Sequence, residues 1–134
     1  MFSDALLNHF HDPRNIGELP PPAVAIEVSN PACGDILKLS ALFDGERIVE
    51  ARNRVRDCTA SIAAGSALTE MIIGQTRNAL LSLSAADVEQ RLDGLPAESK
   101  HAAVLCIDGL RALCDRPTPQ HETPNATSSS ARAS

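Results

Sequence analysis

Apolar positions change their period along the chain, and the changes mark out the elements. Ala5, Leu6, Leu7 and Phe10 fall at helical spacing behind Ser3, a residue suited to capping, so a short helix is predicted through about Phe10. Pro13 ends it, and Gly17 with Pro20, Pro21 and Pro22 makes a stiff connection. Three strands are predicted next, the first over residues 23–29. The second covers 36–43 and sets Leu37, Leu39, Ala41 and Phe43 on one face. The third covers 47–56, where Val49, Ala51 and Val55 alternate with Glu50, Arg52, Arg54 and Arg56. Asp44-Gly45 between them predicts a hairpin turn centred on that pair, where both residues need positive φ. The apolar row of the third strand is expected in the core. Its basic row is read as a solvated face ahead of a docking surface for an acidic partner.

Beyond residue 58 the period becomes helical. TASIAAGSALTEMIIG, residues 59–74, is a helix of small residues that can pack close to a sheet, with Gly74 suited to its C-terminal end. A short helix over 76–83 is possible from the pattern, and Ser84 with Asp87 resembles a capping arrangement for a helix to Leu92. Gly94, Leu95 and Pro96 break the pattern, and residues 98–114 form the last helix. The order of one helix, three strands and then helices predicts an α+β fold. It is a small three-stranded antiparallel sheet with helices packed mainly on one face. Residues 1–115 form the expected domain, and the Pro-, Ser- and Thr-rich residues 116–134 a disordered tail.

Composition narrows the chemistry. A net charge of −5 lacks the basic footprint of general nucleic-acid binding, and the absence of Trp and Tyr removes a base-stacking platform. No apolar run is long enough to cross a bilayer, and the start has no basic-then-apolar leader, so a cytoplasmic protein is expected, without membrane or nucleic-acid partners. The four cysteines are Cys33, Cys58, Cys106 and Cys114. In a reducing compartment they are open to metal binding, thiol chemistry or burial.

Cys33 stands between Pro31 and Gly34 at a strand entrance, with Asp35 beside it. A thiolate and a carboxylate in one turn can reach a single Zn²⁺ or iron. Alternatively, Asp35 caps its own turn and Cys33 is a small buried group. Cys58 lies where the third strand hands over to the small-residue helix, whose dipole favours a thiolate; Asp57 beside it adds opposing charge. His101 falls in the first turn of the last helix, outside its apolar arc. Cys106 and Cys114 fall within that arc and are expected in the core. His9, His11 and His121 gain no partner from spacing.

These residues carry a resemblance to the U-type iron–sulfur cluster scaffold family, the IscU proteins and the N-terminal domain of NifU. It runs from about Leu6 to Leu113. NHFHDPRNIGEL resembles the family's opening segment, and NPACGD its first ligand motif nearly verbatim. DCTASIAAGSALTE resembles the second motif, and LPAESKHAAVL the third, where the family has a His-Cys pair. The resemblance implies that Cys33, Asp35, Cys58 and His101 surround a [2Fe–2S] cluster, iron or Zn²⁺. It further implies a non-enzymatic role in cluster assembly or transfer, with a cysteine desulfurase and cluster-accepting apoproteins as partners. An oxygen ligand among thiolates would keep the cargo exchangeable.

Three positions depart from the family. Ala102 follows His101 where the family has a third cysteine, both a ligand and a principal acceptor of persulfide sulfur. Cys106 lies one turn further on, displaced about 6 Å along the helix, and could substitute for that cysteine only if the helix shifts. Asp57 replaces the glycine before the second cysteine, and LPAES lacks the proline-lysine ending that members present to a dedicated Hsp70 chaperone, which leaves that partnership open. Two other functions are compatible with the same residues. One is a zinc-stabilised regulatory or interaction module that binds a desulfurase without building clusters, the other a sulfane-sulfur relay through Cys58.

Overall fold

A computed structural model describes residues 2–30, 34–56 and 58–116, with the backbone alone at Asn30. The expected tail lies outside the described residues from position 117 onward. The Ser3 hydroxyl accepts the Leu6 amide and starts α1 (Asp4–His11). Three strands follow, β1 (Val24–Asn30), β2 (Asp35–Asp44) and β3 (Arg47–Arg56), paired antiparallel in the order β1-β2-β3. Then come α2 (Thr59–Ile72), the single-turn α3 (Arg77–Leu80), α4 (Ala85–Arg91) and α5 (His101–Cys114). The α+β class, the sheet and the helices on one face are those the patterning predicts.

The core sits between the sheet and α2 and α5. Leu37, Leu39, Ala41 and Phe43 form the buried row of β2, and each large one contributes about 1.5–3 kcal/mol by leaving water. α2 lies over β3, α5 over β1 and β2, α1 against α2, and α4 against α5. Because α2 has neighbours on several sides, it is buried nearly all round, which its run of Ala, Gly and Ser permits. At Gly65 a Cβ would stand 2.8 Å from both Asn53 Oδ1 and Val55 Cγ2. Only glycine lets α2 approach β3 this closely.

Several local expectations are corrected. Asp44 pairs with Arg47, so the hairpin turn is centred on Gly45-Glu46 rather than Asp44-Gly45. Among the described residues only Asn15, Asp93 and glycines have positive φ; Gly45 is at +64°. Positive φ at the first central position alone is the pattern of a II′ turn. Val49 is exposed rather than buried, because a register shift after Leu42 pairs Phe43 with Ile48 and leaves Val49 as an extra residue. Ile48 takes the inward position instead, and Asn53 joins the buried row. The last helix begins at His101, not 98; a 3₁₀ turn, Ala97–Ser99, precedes it after Pro96.

The segment between α1 and β1 straps the outer face of the sheet. The Gly17 amide bonds the Asn53 carbonyl at the free edge of β3, and the Leu19 amide bonds the Ser40 hydroxyl. The opposite side therefore holds the helices, and the strand ends Asp35 and Arg56 meet the N-terminal ends of α2 and α5 at one end of the sheet.

Candidate metal centre

Three element ends supply the donors. Asp35 is the first residue of β2 and continues inward the row of Leu37 and Leu39, which buries it to 1% exposure. Cys58 is the N-cap of α2, where its sulfur accepts the Ser61 amide at 3.4 Å. A sulfur in this place sits at the positive end of the helix dipole. His101 opens α5 and turns Nε2 toward both, 3.1 Å from Asp35 Oδ2 and 3.7 Å from Cys58 Sγ. One ligand atom from each residue lies within 4.8 Å of the other two.

Donors bound at 2.0–2.3 Å to one metal stand about 3–4 Å from each other, so the spacing fits a metal-sized cation. The charge environment fits as well. Among the described residues Asp35 is engaged by Ser61 and His101 and by no Lys or Arg. A carboxylate without a fixed cation is available to a mobile one. The donor set mixes oxygen, nitrogen and sulfur, which suits zinc or iron over magnesium or calcium.

Of the residues singled out in the sequence, Asp35, Cys58 and His101 come together. Cys33 and Asp57 lie outside the described residues, as does His121. Cys106 is 2% exposed, and burial pushes its thiol pKa up to about 12, so it is a core residue. Cys114 is only half-buried, less than its place in the apolar arc implies. Burial raises its pKa, opposed by the Arg77 guanidinium. Ala102 is completely buried.

Two groups were missed. Ser61 Oγ donates to Asp35 Oδ2 at 2.7 Å and lies 3.3 Å from Cys58 Sγ. Its signal was a polar residue three positions after a cysteine at a helix start. His9 was assigned no partner, yet it is buried with Nδ1 2.7 Å from Ser66 Oγ and Nε2 3.5 Å from Glu70. Ser66 has no exposed surface, so this Ser-His-Glu arrangement is a structural tie rather than a nucleophile. The basic row of β3 is largely neutralised. Arg52 pairs with Glu50, Arg54 with Glu18, and the neighbouring Lys38 with Glu18 and Glu27.

Comparison with known proteins gives a consistent set of relatives. Residues 1–116 match the family described as NifU-like N terminal domain. The chain is 34% identical over 111 residues to the iron-sulfur cluster assembly scaffold protein IscU 1 of Archaeoglobus fulgidus, covering 83% of this chain and 72% of that one. It is 38% identical over 119 residues to the nitrogen fixation protein NifU of Nostoc sp., covering 83% of this chain but 40% of that longer protein. Among solved structures, FiSufU from Fervidobacterium islandicum AW-1 superposes with a TM-score of 0.69 at 21% identity, over 85% of this chain and 96% of that one. At that identity the likeness speaks for the fold alone.

Proposed function

The chain belongs to the NifU-like N-terminal domain family, and on that premise we propose that it is a scaffold for iron–sulfur cluster assembly or transfer. The observation that carries the reading is the convergence of Asp35, Cys58 and His101 from three element ends on one cation-sized space. Cys33, two residues before Asp35 in the sequence, is the fourth ligand of the proposal. The cargo is iron with sulfide, as a [2Fe–2S] cluster, and the protein holds and passes it on. Members of such scaffold families are generally non-catalytic. Sulfur comes from a cysteine desulfurase, and apoproteins receive the product. No helix among the described residues is long and apolar enough to cross a membrane.

This chain's residues divide the work. Cys58 supplies the soft ligand at a helix N-terminus, which offsets negative charge on the sulfur. Asp35 supplies a hard ligand that exchanges more readily than a thiolate, and His101 a neutral one. Together they hold iron while leaving it releasable.

The test is anaerobic reconstitution with ferrous iron and sulfide. Visible sulfide-to-iron charge-transfer bands that disappear in Cys58→Ala support the scaffold. One observation favours a second reading. Ala102 removes the family's third thiol, so the proposed set is two sulfurs, one nitrogen and one oxygen, which suits closed four-coordinate zinc. Stoichiometric, colourless zinc that iron and sulfide fail to displace would establish that interaction module instead.

A further inference from the structure

One residue touches two of the three donors and is not itself a ligand. Ser61 donates its hydroxyl to Asp35 Oδ2 at 2.7 Å, a contact spanning 26 positions, and its backbone N–H to Cys58 Sγ at 3.4 Å. The Cys58 thiol in turn points to the Ser61 oxygen at 3.3 Å. Ser61 is 1% exposed, so water does not compete for these bonds. The hydroxyl is also spare as far as the helix is concerned. The cap of α2 is made by Cys58 accepting the Ser61 amide, which uses the backbone and not Oγ. A serine at this place in a helix could bond a nearby carbonyl. Here it reaches across to the strand.

We propose that Ser61 is a positioning residue for the metal site: its hydroxyl holds the Asp35 carboxylate facing Cys58 and His101 before any metal arrives. The inference rests on the scaffold reading above and deepens it. Asp35 is a short side chain with two rotatable bonds, and β2 fixes only its Cα. Without Ser61 its carboxylate would be held only by His101, whose nitrogen turns to the metal on binding, and would have to be ordered when the metal arrives. The serine pays that ordering cost in advance, as hydrogen-bonded outer partners do at metal sites. A buried hydroxyl–carboxylate bond is also stronger than its counterpart in water, which makes Ser61 an effective clamp. When Cys58 binds a metal as thiolate, it no longer donates to Ser61, and the serine proton remains committed to Asp35.

The experiment is a double-mutant cycle read by Co²⁺ binding to the full chain, in optical titrations that report both affinity and the d–d bands. Ser61→Ala should weaken Co²⁺ binding about 10-fold and alter the d–d bands. In an Asp35→Ala background the same substitution should change affinity by less than about 2-fold, because the group it positions is gone. Thermal melting of each variant checks that the fold is intact; alanine is a good helix former, so α2 should tolerate it. No effect of Ser61→Ala on the parent protein, or an equal loss in both backgrounds, overturns the positioning role while the scaffold reading stands. A wild-type protein that binds no Co²⁺ overturns the scaffold reading and this inference together.

Discussion

Two polar clusters hang on α2, built from nearly the same parts, and they differ in what holds their charges. Near the N-terminus of the helix are Ser61, His101 and the carboxylate of Asp35, with Cys58. Further along are Ser66, His9 and the carboxylate of Glu70. The second cluster is closed by arginines. Arg14 donates its amide to Ser66 Oγ, and its guanidinium lies 3.0 Å from His9 Nδ1 and 3.8 Å from Glu70. Arg91 lies 4.0 Å from Glu70 on the opposite oxygen. The first cluster contains no Lys or Arg among the described residues, and its histidine side chain retains 22% of its exposure. A fixed cation inside a cluster saturates its carboxylate and repels a second cation. The arginine-free cluster is therefore suited to a metal, and the arginine-closed one to tying α1 and the strap onto α2.

Cys58→Ala should separate the two clusters most strongly. It removes a soft donor from the first cluster, and metal affinity should fall by more than about 100-fold, beyond the loss typical of outer partners. Stability should change little, because the Cys58 side chain is half-buried and its cap bond is long. Isothermal titration with Zn²⁺, paired with thermal melts, separates the two quantities. His9→Ala should do the reverse. It removes the acceptor of the Ser66 hydroxyl proton and leaves a cavity beneath α1, at a cost of about 3 kcal/mol in denaturant unfolding. The metal affinity of the folded fraction should stay as it was. If His9→Ala weakened metal binding as strongly as Cys58→Ala, the division between the clusters would collapse.

Gly65→Ala tests the helix that carries both clusters. The new Cβ meets Asn53 Oδ1 and Val55 Cγ2 at 2.8 Å. Asn53 cannot yield easily, since its Nδ2 is tied to the Arg14 and Asn15 carbonyls. A loss of about 2 kcal/mol is expected in denaturant unfolding. Gly109→Ala on α5 is the control. Its Cβ meets Leu37 Cδ2 at 2.8 Å, the movable end of a side chain, so it should cost less. Equal losses would show that the contact with Asn53 sets no special limit.

Much of this architecture could be read from periodicity. The alternation of Leu37, Leu39, Ala41 and Phe43 and the small residues of α2 are direct consequences of which face is buried, so strands and helices followed from them. Val49 was misplaced because one unpaired residue reverses every later side chain, and pairing across a sheet decides where that happens. Asp35, Cys58 and His101 stood out because carboxylate, thiol and imidazole are metal-donor types placed at element ends, within segments that resemble a known family's ligand motifs. Ser61, Ser66 and His9 did not stand out. A serine in an Ala-rich helix reads as another small residue, and its partner 26 or 57 positions away exists only after the helices dock.

The two clusters also differ in what pH can do to them. His9 has its pKa lowered below the ordinary value of 6.5, first by burial and then by Arg14, with Arg91 adding to this and Glu70 partly opposing it. The geometry explains the direction. The Arg14 guanidinium has only donors and faces Nδ1, so Nδ1 must accept, and a proton there would confront the guanidinium. In the unfolded chain His9 takes up its proton as pH falls through about 6.5, whereas the folded protein refuses it until a lower pH. The contribution of His9 is therefore complete above that unfolded value and shrinks as pH drops toward the folded one, below which the loss levels off. The slope from one such group is at most about 1.4 kcal/mol per pH unit. Denaturant unfolding between about pH 7.5 and 5.5 should show the wild type losing stability relative to His9→Gln, which keeps a hydrogen-bonding side chain but does not titrate. Parallel curves for the two proteins would remove His9 from the acid response.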